Sequence, residues 1–117
     1  MIEKTATELS QVDKINLTEF AKEVHNHNKE KGFWETPREI PELIALMHSE
    51  LSEALEAHRK DLMDDKLTHR SGVEVELADC VIRILDTCGA FGLDIHGAMM
   101  EKIAYNKTRP YKHGKKY

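Results

Sequence analysis

The chain has no long apolar run, few aromatics, few prolines and only two cysteines, and each shortage removes a class of protein. No stretch approaches the ~20 apolar residues that a membrane span needs. The first residues lack the apolar core of a secretory signal. The expectation is a cytoplasmic protein with no membrane partner. Cys80 and Cys88 fall on one expected helix, about 12 Å apart along its axis, too far to bridge. Two free thiols fit a reducing compartment, and no Cys/His spacing suggests zinc. Phe, Tyr and Trp make up 6% of the chain and the net charge is -4, so nucleic acid is not an expected partner.

What is present is a chain of 117 residues with 40% hydrophobic and 32% charged side chains, enough for one globular domain with a modest core. Residues 1–15 show no periodicity and are expected to be a loose lead-in; residues 16–117 form the single domain. The charge is unevenly placed. From Ser49 to Asp79 there are nine acids and four bases, and from Lys102 to Tyr117 six bases and no acid. That division suits either a solvated surface with a basic tail or a site that binds a cation at one end and a phosphate at the other.

Apolar periodicity predicts four helices and no strand. Asn16 and Glu19 form a capping box for the first, which carries Leu17, Phe20, Ala21 and Val24 and ends near Gly32. "KGFWETPREIP" is a loop, and Pro41 opens a second helix running to about Lys60. A polar connection over residues 61–72 leads to a third helix, Val73 to Gly89. After "GAFGLD", Asp94 caps a fourth helix to about Lys107. The expected fold is all-α, a four-helix bundle-like protomer with short connections. Its core is small, because one face of two helices is given to acids. Completion by oligomerisation is expected.

On a helical wheel, Leu43, Met47, Leu51 and Ala54 define the core face of the second helix, with Glu50 at its edge and Glu53 one turn along. On the third, Leu77, Val81, Leu85 and Cys88 define the core, with Glu76, Asp79, Arg83 and Asp86 in a stripe beside it. Antiparallel packing turns the two acidic stripes toward one another. Carboxylates held that close repel, and either their pKa values rise or a cation neutralises them. All-oxygen ligation suits Mg²⁺, with Mn²⁺ as a substitute. The other reading is surface ion pairing, with Arg83 four residues after Asp79 and Arg59 three after Glu56.

Glu50-x-x-Glu53, a connection, then Glu76-x-x-Asp79 resembles the metal signature of the all-α nucleoside triphosphate pyrophosphohydrolases, the MazG-like group, which includes dimeric dUTPases and dCTP pyrophosphatases. "KGFW" before the second helix and "KIAYNKTRPYKHGKKY", with its K-x-x-x-N-x-x-R-P, add to the resemblance, which covers residues 16–117. It implies Mg²⁺-dependent hydrolysis of a nucleoside triphosphate to monophosphate and pyrophosphate by a homodimer or homotetramer. Glu50, Glu53, Glu76 and Asp79 would carry metal and catalysis, one of them acting on the attacking water. Lys102, Asn106 and Arg109 would hold phosphate or sugar, and Trp34 or Phe33 would stack on the base. Ser49 stands where the family often has another Glu. Asp86 is expected either to compensate for it or to lie on the surface.

Other residues carry plainer expectations. His25, Asn26 and Asn28 are expected to end the first helix, in preference to contacting a base. His48 and His58 are expected on the surface, and Met99 and Met100 in packing. A di-iron bundle is disfavoured because no His has a Glu three residues before it. The non-enzymatic alternative is a helical regulatory module whose acidic groove binds a basic partner.

Overall fold

The computed structural model describes residues 15–117. The expected lead-in therefore lies, except for Ile15, outside the described residues. Four helices follow: α1 (Leu17–Glu30), α2 (Ile40–Arg59), α3 (Gly72–Phe91) and α4 (Ile95–Lys107), with a short 3-10 turn at Tyr111–Gly114. Among the described residues there is no strand, and an isolated bridge between Met63 and Ser71 closes the α2–α3 connection. None of these helices is long and apolar enough to cross a membrane.

Local chemistry accounts for most of the boundaries. Asn16 accepts the Glu19 N–H at 3.0 Å at the start of α1, and Pro41 sits in the first turn of α2, where its missing N–H has no helical partner to lose. Asp94 accepts the Gly97 N–H at 2.9 Å at the start of α4. Before α3, Ser71 accepts the Glu74 N–H at 3.1 Å and Glu74 accepts the Ser71 N–H at 3.3 Å. This reciprocal box satisfies two otherwise orphaned donors. Gly92 ends α3 in the left-handed region at φ 64°.

The helix α3 runs two residues beyond its expected end at Gly89. Gly89 is a contact point, not a stop. A Cβ there would strike the Ala21 carbonyl oxygen and come within 2.7 Å of the His25 Cβ. The glycine lets α1 lie directly on α3.

The helix α3 is the central element, packed by α1 and by α2. Both pairs are antiparallel: Ala57 meets Gly72 near one end of the α2–α3 pair, while Met47 and Cys80 meet further along. The core is small in volume as well as in number, built on Ala21, Leu85 and Cys88 with Val24, Ile84 and Ile95 against them. The expected core stripes need correction. Leu51, Leu77 and Val81 are 46%, 46% and 52% exposed. Leu43 and Ala54 are buried as expected, with Glu50 and Ala57 completing the line on α2, and Leu85 and Cys88 are buried as expected on α3. Periodicity marks an apolar face but not whether a neighbour covers it, and α2 has only one covering helix here. Met99 and Met100 are also largely exposed, because no residue of α4 is buried.

Candidate metal centre

The acidic groove forms where α2 and α3 run antiparallel. One carboxylate oxygen from each of Glu50, Glu76 and Asp79 lies within 4.8 Å of the others. Glu50 is 8% exposed and is part of the buried line of α2. It is fixed by Arg83, whose Nε–H donates to Glu50 Oε1 at 2.9 Å. The expected pairing of Arg83 with Asp79 on its own helix thus gives way to a bond across the interface.

The electrostatics follow from this crowding. Burial, with Glu50 and Glu53 alongside, pushes Glu76 up to about 8. Its Oε2 is buried with no hydrogen-bond partner among the described residues, as expected of one acceptor facing two others until one of them takes a proton. Burial also raises Asp79, with Glu50 and Asp64 adding repulsion. For Glu50, burial pushes upward, but Arg83 and the neighbouring Glu76 prevail, and the carboxyl ends below its ordinary range.

Three of the four expected acids therefore converge and the fourth stands beside them. Glu53 is exposed and lines a neighbouring acidic pocket of about 300 Å³ with Glu56, Asp64, Asp65 and Glu76. It stands one helical turn from Glu50 and is near enough to act on both Glu50 and Glu76. Glu56 is a surface residue as expected, but its partner is Lys60 at 2.6 Å and not Arg59. Ser49 turns its hydroxyl back onto the Leu46 carbonyl at 2.6 Å and offers the acids nothing.

Next to the triad is a groove of about 290 Å³ lined by Asn28, Phe33, Arg38, Glu50, Asp79, Ile82, Arg83 and Asp86. Arg38 was not singled out from the sequence; its position in a proline-punctuated loop ahead of the acidic helix was the available signal. Asp86 is neither a surface residue nor a third-turn extension of the triad. It is 5% exposed, and both its oxygens lie 3.1 Å from the Trp34 Nε1–H. His25, in the interior of α1 and not at its end, donates from Nδ1 to Asp86 at 2.8 Å. Trp34 also packs edge-on against His25 at 4.9 Å and Phe91 at 6.4 Å, with the Arg38 guanidinium 5.5 Å from its ring centre. Those contacts occupy Trp34. Phe33, 61% exposed and on the groove, is the aromatic free to stack.

The basic residues are not brought to the acids within one chain. Lys102 and Arg109 lie 4.9 and 5.8 Å from the ring centre of Tyr105, and neither they nor Asn106 line the groove. The reason is topological: α4 turns at Gly92–Asp94 and packs mainly on α1, whereas the acids occupy the α2–α3 interface. Asn106 keeps a buried Oδ1 without a partner among the described residues.

Three oxygen donors with one orphaned buried atom form a set that fits a small divalent cation. Compared with protein-family models, with curated proteins and with solved structures, the chain matches none.

Proposed function

We propose that the chain hydrolyses nucleoside triphosphates, deoxynucleoside triphosphates among them, to the monophosphate and pyrophosphate in the presence of Mg²⁺ or Mn²⁺. The observation that carries this reading is the convergence of Glu50, Glu76 and Asp79 around an unpartnered carboxylate oxygen, beside a groove of substrate size. The resemblance of Glu50-x-x-Glu53 and Glu76-x-x-Asp79 to the MazG-like signature supplies the reaction.

Glu50, Glu76 and Asp79 would hold the cation, which would offset phosphate charge and acidify a bound water. Glu53, next to Glu76 but outside the triad, is the acid left to accept the proton as water oxygen bonds to phosphorus and the phosphoanhydride bond breaks. Arg38 and Arg83 lie on the groove and would meet phosphate oxygens with charge-assisted bonds. Phe33 would stack on the base. Lys102, Asn106 and Arg109 would act on phosphate only in an assembly, where α4 of another copy approaches the groove. Ile44, Leu51 and Leu55 are 45%, 46% and 60% exposed along one face of α2, and a second copy would cover them.

A panel of nucleoside triphosphates assayed for Mg²⁺-dependent pyrophosphate release tests the reading. Turnover lost in both Glu53→Gln and Asp79→Asn, with helical content retained, supports it. Near-normal turnover in both variants at saturating Mg²⁺ overturns the assignment. No pyrophosphate from any nucleotide leaves the acidic groove as a binding surface for a basic partner.

A further inference from the structure

Asp86 lies two helical turns after Asp79 and outside the acidic triad, and its oxygens meet two rings. The side chain is 6% exposed, and a carboxylate so buried is costly unless donors satisfy it. Here the donors come from two separate elements, His25 from α1 and Trp34 from the loop between α1 and α2.

That loop has few other attachments. Its backbone bonds run from Gly32, Phe33 and Glu35 back to Lys29, Asn28 and Gly32. Residues 36–38 donate or accept no backbone bond in a turn, cap or loop among the described residues. Trp34 is thus the side chain that ties the loop to α3. On either side of it in the sequence are Phe33 and Arg38, which line the groove together with Asp79 and Arg83. Arg38 stacks on the Trp34 ring itself.

We propose that Asp86 is a positioning residue. It holds Trp34 and His25 against α3 and thereby sets the shape of the groove wall that Phe33 and Arg38 present to a ligand. Its effect on substrate rests on the hydrolase reading above; its effect on the loop does not.

Trp34 is the only tryptophan in the chain, so the indole N–H resonance and the emission report on this one side chain. In full-length Asp86→Ala, the indole resonance should move to the position of a solvent-exposed N–H and the emission should shift to longer wavelength. Asp86→Asn, which keeps one acceptor, should move both less. The Mg²⁺-induced rise in melting temperature should persist in both. With a nucleoside triphosphate that the parent hydrolyses, KM should rise about tenfold, the equivalent of one charge-assisted hydrogen bond, while kcat is nearly unchanged.

If Asp86→Ala does not fold, Asp86→Asn carries the spectroscopic test and Trp34→Phe the kinetic one, with the same rise in KM expected. An unmoved indole resonance in the folded variant overturns the proposal. So does a collapse of kcat at unchanged KM, or loss of the Mg²⁺ response, either of which would make Asp86 a member of the metal centre. A parent without turnover defeats the hydrolase reading and leaves the indole resonance to decide the positioning role.

Discussion

Glu76 carries the heaviest electrostatic burden in the groove, and this has a consequence for stability. In the folded, metal-free chain it keeps its proton up to about 8, against an ordinary value of 4.5. Between those values the folded state binds more protons than the unfolded state, so stability falls as pH rises through that window and levels off above it. Urea denaturation in EDTA from pH 5 to 9 should show this decline. Glu76→Gln, which cannot ionise, should flatten it. A parent curve with no slope over the window would show that the acids do not crowd in solution.

Glu50 differs, because Arg83 already offsets its charge. Its burial still places it where a cation would bind, whereas Glu56 pairs with Lys60 on the surface. Saturating Mg²⁺ should raise the melting temperature, since a ligand at a hundred times its Kd stabilises the folded state by about 2.7 kcal/mol. Glu50→Gln should lose most of that increment, and Glu56→Gln should keep it. Equal responses in parent and both variants, measured by scanning calorimetry, would remove Glu50 from the metal centre.

Among the helices, α3 determines the rest of the arrangement. Its start depends on the Ser71–Glu74 box, so Ser71→Ala should cost about 1 kcal/mol, read as a shift in the urea midpoint. Gly89 is the more severe position. Alanine there collides with backbone of α1 as well as with His25. Overpacking of this kind costs roughly 1–3 kcal/mol. Because His25 also bonds Asp86, Gly89→Ala should shift the Trp34 emission together with the stability. Ser71→Ala, at the opposite end of α3, should lower stability and leave the emission alone.

For the molecule as a whole, the exposed apolar face of α2 and the distance between acids and bases belong to one question. The proposed association of copies predicts a light-scattering mass above that of one 13.4 kDa chain. Leu55→Glu, on the most exposed apolar position of α2, should reduce that mass without loss of helix. If the basic α4 works only in the assembly, the same variant should lose turnover, as should Arg109→Ala, and removal of residues 112–117 should cost less than either. A monomeric parent with full activity would return Lys102, Asn106 and Arg109 to the role of a solvated surface.

The all-α fold, the positions of four helices and the acids of the groove were legible in the amino-acid order, because capping residues and helical periodicity are local. Asn16, Pro41 and Asp94 mark helix starts by chemistry confined to one turn, and the spacing of Glu50, Glu76 and Asp79 places them beside the core stripes. What depends on which helix covers which was not legible. Leu51 and Val81 look like core on a wheel but are 46% and 52% exposed, since periodicity does not say which part of an apolar face a neighbouring helix covers. Gly89 resembles a helix end until α1 lies on it. Asp86 belongs to an acidic stripe by periodicity, yet two ring N–H groups from distant segments draw it inward. Lys102 and Asn106 share a face of α4 and Arg109 follows its end, but the packing of α4 on α1 keeps them away from the acids. Local sequence therefore determined the helices and the acidic stripes, and tertiary packing alone decided which charges meet, because a side chain's partner across an interface depends on the relative placement of whole helices.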